Sequence, residues 1–569
     1  MEDYAVYVGA PILAFVAYFV LPYLSSSLNK YPGPPAARFT RLWLAKTARY
    51  GVRSVTVHQE HLKHGKFVRI GPNEGKFWCS SPRRSQLTRH PDLLVSIADP
   101  AALPIVYAHG SGSTKSDFYD AFVSIFRGLF NTRDRAEHTR KRKIVAVSLT
   151  LLTALASALI SSLAAHIFSQ KRARVRTVSA STPTALNSIL LTLFHSRRYI
   201  AESARTLLSK WDALGDKAQK DASGGKMKGY AVIELLDWLN ALAFDVIGDL
   251  AFGSPFGMLD HDAADLVAIT GENGEIIHAP AVKILNERGE FSATQGSLPP
   301  WVRPYTKYID PWFARGQSSV TNLAGIARNK VNARLQAGPG DRKDILTHLQ
   351  AARDENGLPL PKPELTAEAL TQLIAGSDTT SNSSCAIIFF IIRNERVHKK
   401  LRAELDEAFA GRGIEGVLEY EETKGLPYLL ACINEALRRH STSGMGLPRI
   451  MTKETEVCGE VFPPGTILSV PSYTIHHLES VWGKDALEYR PERWLEDPEK
   501  TKELEKALNM SCVGRNVAFM ELVIFISTFI YRYDFKLVDA ERNELEVAEG
   551  FLRKPLGCQM GVKRRENVV

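Results

Sequence analysis

The chain has 569 residues, 45% of them hydrophobic, which is enough to bury the core of at least one large globular domain. Its formal net charge is +9, but residues 75–95 carry four basic side chains against one acidic, and residues 147–199 carry six against none. The remainder is neutral, which argues against a nucleic-acid-binding protein. Six cysteines without a C-x-x-C spacing argue against a disulfide-stapled secreted domain.

The N-terminal region contains an almost uncharged apolar stretch, residues 5–24, that is long enough to cross a bilayer. Glu2 and Asp3 precede it and mainly basic residues follow, so the positive-inside rule places the following chain in the cytosol. A cleaved signal peptide would need a basic start and a small-residue cleavage site, and neither is evident. We therefore predict a single-pass membrane anchor over residues 1–28, followed by a stiff proline-rich hinge.

Two later stretches interrupt otherwise regular patterns. Residues 64–74 are typical of a strand entry and residues 96–100 of its continuation, with the basic stretch 75–95 between them. Residues 147–199 begin with an uncharged run and continue into a Ser/Arg/Thr-rich part without helical periodicity. We interpret both as insertions of translated intron or shifted-frame sequence, with a family-specific extension as the alternative. The uncharged run, residues 147–164, has the length of a second membrane segment, but its many hydroxyl groups make it weakly apolar.

A long buried helix is predicted over residues 365–392, because a threonine and an acidic first turn begin it and apolar residues recur at helical spacing. Gly376 in the middle costs about 1 kcal/mol relative to alanine, so it needs a reason. Asp378 and Thr379 follow as an acid–alcohol pair, of the kind that can relay protons into a dry pocket. The alternative is a kinked core helix whose hydroxyl groups bond back to carbonyls.

Three short motifs follow in order towards the C-terminus. Glu435 and Arg438 stand at i, i+3 on one predicted helical face, and Arg493 belongs to a Pro-Glu-Arg-Trp string. Cys512 belongs to a Ser-Cys-Val-Gly-Arg-Asn string directly before an apolar helical stretch, where the helix dipole favours a thiolate. Each motif alone is weak, but their order and wide spacing make chance unlikely.

Together with the Ala-Gly-Ser-Asp-Thr-Thr string at residues 375–380, these motifs resemble the cytochrome P450 superfamily, the haem-thiolate monooxygenases. The resemblance implies a mostly α fold with a small β-rich lobe, carried by one catalytic domain over residues 29–569 behind the membrane anchor. It also implies haem b, iron protoporphyrin IX, with the Cys512 thiolate as the iron ligand that favours O–O cleavage. Gly514 lacks a Cβ and would let the following helix approach the porphyrin face closely.

The resemblance assigns roles to further residues. In the distal helix, Ala375 and Gly376 would open a groove for dioxygen beside the proton relay of Asp378 and Thr379. A buried ion triad would lose several kcal/mol of stability if one member were removed, roughly 3–5 kcal/mol. The triad residues are Glu435, Arg438 and Arg493, and the residues implied to bind the haem propionates are His138, Arg142 and Arg449. For the basic run around Arg142, the alternative is a solvated or membrane-facing helix side.

The loop before the cysteine departs from the family pattern. Family members carry F-x-x-G-x-R ahead of the cysteine, a hairpin whose arginine helps bind a haem propionate, whereas here Leu508-Asn509-Met510 runs straight into Ser511. The missing loop leaves open a haem-free or inactive relative, and the uncharged run 147–164 leaves open a polytopic membrane protein.

Several longer strings, at residues 115–122, 128–135, 441–448 and 550–556, are similar to those of the fungal benzoate para-hydroxylases. That similarity implies benzoate and dioxygen as substrates, and a membrane-bound flavoprotein reductase as the donor of electrons from NADPH. No nicotinamide or flavin motif occurs in this chain, so the electrons must come from such a partner. It also implies the endoplasmic reticulum membrane, with membrane lipid around the anchor and the catalytic domain facing the cytosol.

A benzoate pocket should be narrow and apolar around the ring, with hydrogen-bond donors for the carboxylate at the end far from iron. For each single candidate, a surface or packing role is at least as expected as a role in binding the substrate. The candidate donors are Lys115, Ser116, Tyr119, Ser441, Thr442 and Ser443, and the candidate walls are Leu373, Ala375, Leu447 and Phe551.

Overall fold

The computed structural model describes residues 27–72, 94–108, 110–151, 182–220, 227–262, 265–338, 344–353, 357–508 and 512–566. The predicted anchor over residues 1–28 and the predicted insertion at 75–95 lie almost entirely outside these ranges. Within the described ranges, no helix combines the length and apolarity that crossing a membrane requires.

Helices dominate the described chain. In chain order they are α1 Leu42–Arg49, α2 Arg53–His64, α3 Ala102–Tyr107, α4 Arg135–Leu151, α5 Thr182–Lys220, α6 Leu235–Phe252, α7 Ala281–Ser297, α8 Thr306–Ile309, α9 Pro311–Ala337, α10 Ile345–Ala351, α11 Lys362–Arg393, α12 Glu395–Ala408, α13 Tyr420–Thr423, α14 Pro427–His440, α15 Ser472–His477, α16 Glu479–Trp482, α17 Pro498–Ala507 and α18 Arg515–Arg532. Short 3₁₀ helices occupy Ser27–Lys30, Pro35–Arg38, Asp117–Phe122, Arg303–Tyr305 and Pro491–Trp494.

The strands are short and form small sheets. In chain order they are β1 Phe67–Arg69, β2 Leu94–Ile97, β3 Ser113–Lys115, β4 Ala231–Glu234, β5 Leu266–Thr270, β6 Ile276–Pro280, β7 Arg449–Met451, β8 Thr455–Val457, β9 Glu460–Phe462, β10 Ile467–Ser469, β11 Tyr533–Leu537, β12 Val547–Glu549, β13 Arg553–Pro555 and β14 Gln559–Arg564. A five-stranded sheet has the order β1-β2-β10-β7-β3, and a three-stranded sheet has the order β11-β14-β4. The other described strands pair as the hairpins β5-β6, β8-β9 and β12-β13.

The helix α11 runs through the main core and organises it. Pro361 precedes it in an extended conformation and a proline follows in its first turn, a position where the missing N–H costs nothing. Almost every residue from Glu364 to Phe389 is buried, since α11 packs against α6, α9, α14 and α18. The predicted long buried helix is therefore present, with a mostly α fold around it.

The five-stranded sheet forms most of the β-rich lobe. β1 and β2 pair antiparallel, with Phe67 opposite Ile97, so the strand entry and its predicted continuation on either side of the stretch 75–95 are neighbours. β3 lies at the other edge of this sheet and pairs with β7, which places Lys115 directly opposite Arg449.

The helix α5 differs from expectation. The sequence predicts no helix over the Ser/Arg/Thr-rich part of residues 147–199, yet the backbone is helical from Thr182 onward, so this part of the prediction was wrong. Leucine and alanine are strong helix formers, and the same helix continues into a segment that buries Ile200, Leu207 and Trp211 in the core. The preceding residues 152–181 lie outside the described ranges.

Candidate active site

One short face in the middle of α11 is open, although most residues between Glu364 and Phe389 are buried. Ala375 is exposed and Gly376 and Thr379 are half-buried, whereas their neighbours along the helix lie in the core. Ala375 and Thr379 are four residues apart and so share a helical face. The hydroxyl of Thr379 donates to the carbonyl oxygen of Ala375 at 2.6 Å. The residues assigned to dioxygen and to the relay alcohol thus share the one opened face.

Gly376 has a packing reason to be glycine. A Cβ at this position would lie 2.6 Å from the Cδ1 atom of Ile247 on α6, a distance that real Cβ atoms essentially never show. A side chain at this position would therefore force the Ile247 side chain to shift, which favours glycine where α11 and α6 approach closely. The groove for dioxygen stays a prediction beside this packing role.

Asp378 lies on a different face of α11 from Thr379. It is buried, and burial raises the pKa of its carboxyl to about 6, which the positive charge of Lys554 and a hydrogen bond from Asn382 partly oppose. The Nδ2 atom of Asn382 donates to Asp378 at 3.2 Å. A carboxyl with this pKa changes protonation near neutral pH, which suits a group that passes protons.

Sequence reasoning missed a second buried carboxyl near the same helix. Thr380 donates to Oε2 of Glu521 at 2.9 Å, and Glu521 is buried on α18. Burial raises the pKa of this carboxyl to about 7, opposed by the hydrogen bond from Thr380. The available signal was a single acidic residue within the apolar helix α18.

Cys512 lies just before α18, with Gly514 as the residue that caps the helix start. The thiol is solvent-accessible, yet the surrounding atoms still raise its pKa by desolvation, while the amides of Gly514 and Arg515 donate to the sulfur and lower it. Among the described residues, the atom nearest to a Cβ at Gly514 would be the Cys512 Sγ at 3.9 Å, so packing against them does not explain this glycine. Residues 509–511, where the family loop is missing, lie outside the described ranges.

Three cations converge near the edge strand β3. Burial lowers the pKa of Lys115 to about 7, and the charges of Arg449 and Arg142 lower it further against the opposing effect of Glu368. The Nζ atom of Lys115 donates to the carbonyls of Leu129 and Phe130 at 2.8 and 2.7 Å. This ammonium group is therefore already held by two backbone acceptors.

Two buried polar atoms at this site have no hydrogen-bond partner among the residues that the structure describes. They are the Nε atom of Arg449 and the phenol oxygen of Tyr119, and the Arg449 guanidinium carbon lies 5.8 Å from the Tyr119 ring centroid. These cations repel one another, and the two donors lack an acceptor. Both features fit a ligand with two carboxylates, such as haem with its propionates. The other side of the site fits haem as well. Cys512 stands at a helix start, where a thiolate is favoured, and packing in the described chain does not explain Gly514.

The basic run at the start of α4 divides into two environments. Lys141 is fully buried, and its ammonium lies 3.1 Å from Glu364 and 3.4 Å from Glu368 on α11. It therefore does not belong to a solvated helix side. His138 is half-buried and Arg142 is exposed, which leaves both side chains closer to the protein surface.

The three residues of the predicted ion triad are brought together in the core. Arg438 contacts both carboxylate oxygens of Glu435, at 2.7 and 3.0 Å, and Arg493 donates to Oε1 at 3.0 Å. Trp494 donates to Oε2 at 3.0 Å. Burial alone would raise the pKa of Glu435, but the two guanidinium groups more than offset it and hold the pKa below its ordinary value.

The candidate substrate residues separate into two groups. Tyr119, Leu447 and Phe551 lie in one buried aromatic cluster with Phe118, Phe122, Phe130 and Met445. Phe118, Phe122 and Phe130 were not predicted, because only their location in the fold shows that they belong to the cluster. Other candidates are engaged elsewhere: Leu373 in the main core, Ser116 as the cap of the helix Asp117–Phe122, Ser441 on Arg438 and His476, and Thr442 on Ser383. Ser443 is exposed.

Comparison with known proteins gives concordant findings. A family model described as Cytochrome P450 matches residues 162–562. The chain is 41% identical over 581 aligned positions to the benzoate 4-monooxygenase bphA of Aspergillus niger, covering 100% of this chain and 98% of that protein. It is 27% identical to the cytochrome P450 monooxygenase cicH of Emericella nidulans, covering 91% and 90%, and 26% identical to the pisatin demethylase of Fusarium vanettenii, covering 92% and 88%.

Proposed function

Because the chain belongs to the cytochrome P450 family and is a haem-thiolate monooxygenase, we propose that it hydroxylates benzoate at the para carbon. Dioxygen supplies the oxygen atom, and a membrane-bound flavoprotein reductase supplies two electrons from NADPH. The observation that carries the proposal is 41% identity over the whole chain to a benzoate 4-monooxygenase. The runner-up is a monooxygenase acting on a different substrate, since relatives at 26–27% identity include a pisatin demethylase.

The residues that would hold the haem offer a thiolate for the iron, space beside that thiolate and donors for the propionates. Cys512 would supply the thiolate and Gly514 the space beside it, while Arg449, Arg142 and His138 would bind the propionates. When bound, a thiolate-ligated haem supplies the chemistry of O–O cleavage. Lys115 would add a further basic group at the propionate end, because it lies opposite Arg449 across the sheet.

The chain's own residues would move protons and hold the substrate. The Thr379 hydroxyl lies on the open face of α11 and can turn from the Ala375 carbonyl to an oxygen bound there. Asp378 would pass protons from solvent towards this hydroxyl, because its raised pKa keeps both protonation states accessible near neutral pH. The aromatic cluster around Phe122 would exclude water and enclose the benzoate ring.

The location of the enzyme is part of the same proposal. Residues 1–28 would anchor it in the endoplasmic reticulum membrane, among lipid and next to its reductase, with the catalytic domain in the cytosol. The support is the apolar stretch 5–24 and the basic residues that follow it.

A reduced carbon monoxide spectrum followed by product analysis tests the proposal. We expect the full chain, expressed with haem available, to give the red-shifted Soret band of a thiolate ligand and, with reductase and NADPH, to convert benzoate into para-hydroxybenzoate. Absence of haem in correctly folded protein would favour the inactive relative suggested by the shortened loop before Cys512. A thiolate spectrum without para-hydroxybenzoate would instead contradict the substrate.

A further inference from the structure

Arg288 on α7 is a buried cation that the active-site assignments above leave without a role. Only 5% of it is exposed, and burial lowers the pKa of its guanidinium to about 10. In the part of the chain that the structure describes, no carboxylate compensates this charge. A buried charge without a counter-charge is costly, so it needs a reason to be kept.

The hydrogen bonds of Arg288 are incomplete. Its Nη2 atom donates to the carbonyl oxygen of Phe122 at 3.0 Å, but its Nε atom is buried without a partner among the described residues. One turn further along α7, the buried hydroxyl of Ser292 likewise has no partner in the described part of the chain. Residues at i and i+4 share a helical face, so α7 presents a partly unsatisfied guanidinium and an unsatisfied hydroxyl side by side.

The face of α7 that carries Arg288 meets the aromatic cluster. The guanidinium carbon lies 5.1 Å from the Phe122 ring centroid, and the Phe122 and Phe551 centroids are 4.8 Å apart. A Cβ built on Gly289, the residue after Arg288, would lie 3.8 Å from the Cβ atom of Phe551. The unpaired cation therefore borders an apolar region lined by ring edges and faces.

The same cluster is fixed to the distal helix. Asn131 donates to the Phe122 carbonyl that Arg288 also binds, at 2.9 Å. Nearby, Leu129 donates to Glu368 of α11 at 3.1 Å, and a Cβ at Gly128 would lie only 2.3 Å from the Thr371 hydroxyl. Thr371 precedes the exposed Ala375 by four residues, about 6 Å along a helix axis.

Resting on the proposed aromatic-acid hydroxylation, we propose that Arg288 binds the carboxylate of the substrate, with Ser292 as a second donor. An aromatic carboxylate matches this site because its anion pairs the guanidinium while its ring occupies the aromatic cluster. Lys115 is a weaker choice for this role, since its ammonium is already bound to two carbonyls and lies among the other cations.

The test compares benzoate with benzamide, its uncharged analogue, in equilibrium dialysis against the haem-loaded full chain. Arg288→Gln removes the charge but keeps a donor for the Phe122 carbonyl. We expect benzoate affinity to fall about 100-fold while benzamide affinity changes less than about threefold. Lys283→Gln is the matched control, because it removes an exposed cation from the same helix, and both affinities should stay unchanged.

The outcomes separate this proposal from the function it rests on. Benzoate affinity within about threefold of the parent in Arg288→Gln overturns the carboxylate role and leaves the proposed function standing. A parent chain that binds benzamide as tightly as benzoate overturns the carboxylate role alone, whereas a parent chain that binds neither ligand overturns the proposed function and the carboxylate role with it. If Arg288→Gln loses its reduced carbon monoxide spectrum, Arg288→Lys is used in its place. This variant keeps the charge but not the bidentate geometry of the guanidinium, and its benzoate affinity should still fall about tenfold relative to its benzamide affinity.

Discussion

The hydroxyl of Thr380 on α11 donates to the carboxyl of Glu521 on α18 at 2.9 Å, in the core between the helix with the open distal face and the helix that follows Cys512. Burial raises the pKa of Glu521 to about 7, so this contact involves a neutral carboxyl in mildly acidic solution and a buried charge above neutrality. The folded chain binds this proton more tightly than an unfolded chain does.

The first prediction follows from that raised pKa. Below an unfolded carboxyl pKa of about 4.3 the contribution is fully present, and it is lost as the pH rises through the folded pKa. Glu521→Gln should remove this pH dependence. The free energy of unfolding of the variant, relative to that of the parent, should therefore rise by on the order of 2–3 kcal/mol between pH 4.5 and pH 8. Urea unfolding of both proteins at the two pH values measures this. The same change in unfolding free energy between pH 4.5 and pH 8 in both proteins would contradict it.

Cys512→Ala should abolish the red-shifted reduced carbon monoxide band and all hydroxylation, and Cys512→His should do the same, because imidazole cannot supply the electron push of a thiolate. Cys458→Ala, which removes a half-buried cysteine elsewhere, should keep both the band and the activity. Retained hydroxylation in either Cys512 variant would show that Cys512 is not the axial ligand.

Thr379→Ala should keep haem binding but divert electrons from NADPH to hydrogen peroxide, because the alcohol that supports the second proton transfer is lost. Ser377→Ala is the matched control, since the Ser377 hydroxyl makes the same kind of bond to a helix carbonyl, at 2.7 Å, on a fully buried face. Peroxide and product are measured per NADPH consumed. Unchanged coupling in Thr379→Ala would show that Thr379 is not the relay alcohol.

Arg438→Met should cost roughly 3–5 kcal/mol of unfolding free energy, because it leaves the buried carboxylate of Glu435 short of a partner. Arg396→Met breaks an ion pair with Glu492 at the surface, where the Arg396 side chain is 62% exposed, and should cost at most about 1 kcal/mol. Urea denaturation compares the two, and equal losses would argue against a special role for the buried triad.

Deleting residues 1–28 should release the protein from membranes or leave it peripherally bound, whereas deleting residues 147–164 should not. Carbonate extraction of membranes distinguishes integral from peripheral attachment. Carbonate-resistant binding after the first deletion would reveal a second membrane segment.

Features set by neighbouring residues could be predicted from the sequence. Glu435 and Arg438 are one helical turn apart, so their pairing follows from periodicity, and the family motif added Arg493. Contacts between distant residues could not be predicted in this way. Thr380 and Glu521 are 141 residues apart, and nothing local shows that Arg288 lacks an acidic neighbour. The lysine at position 141 illustrates the same limit, since its sequence neighbours indicate a solvated run while its spatial neighbours are glutamates of α11.

The pairing of Lys115 with Arg449 sets like charges opposite each other at a sheet edge, where such pairs weaken a sheet. Lys115 also binds two buried carbonyls, so Arg449 is the member of the pair whose replacement would relieve the repulsion at the smaller cost in hydrogen bonds. On the proposed propionate role, keeping Arg449 sacrifices some folding stability so that a ligand can bind. A redesign guided by stability alone would then change this position and damage the enzyme.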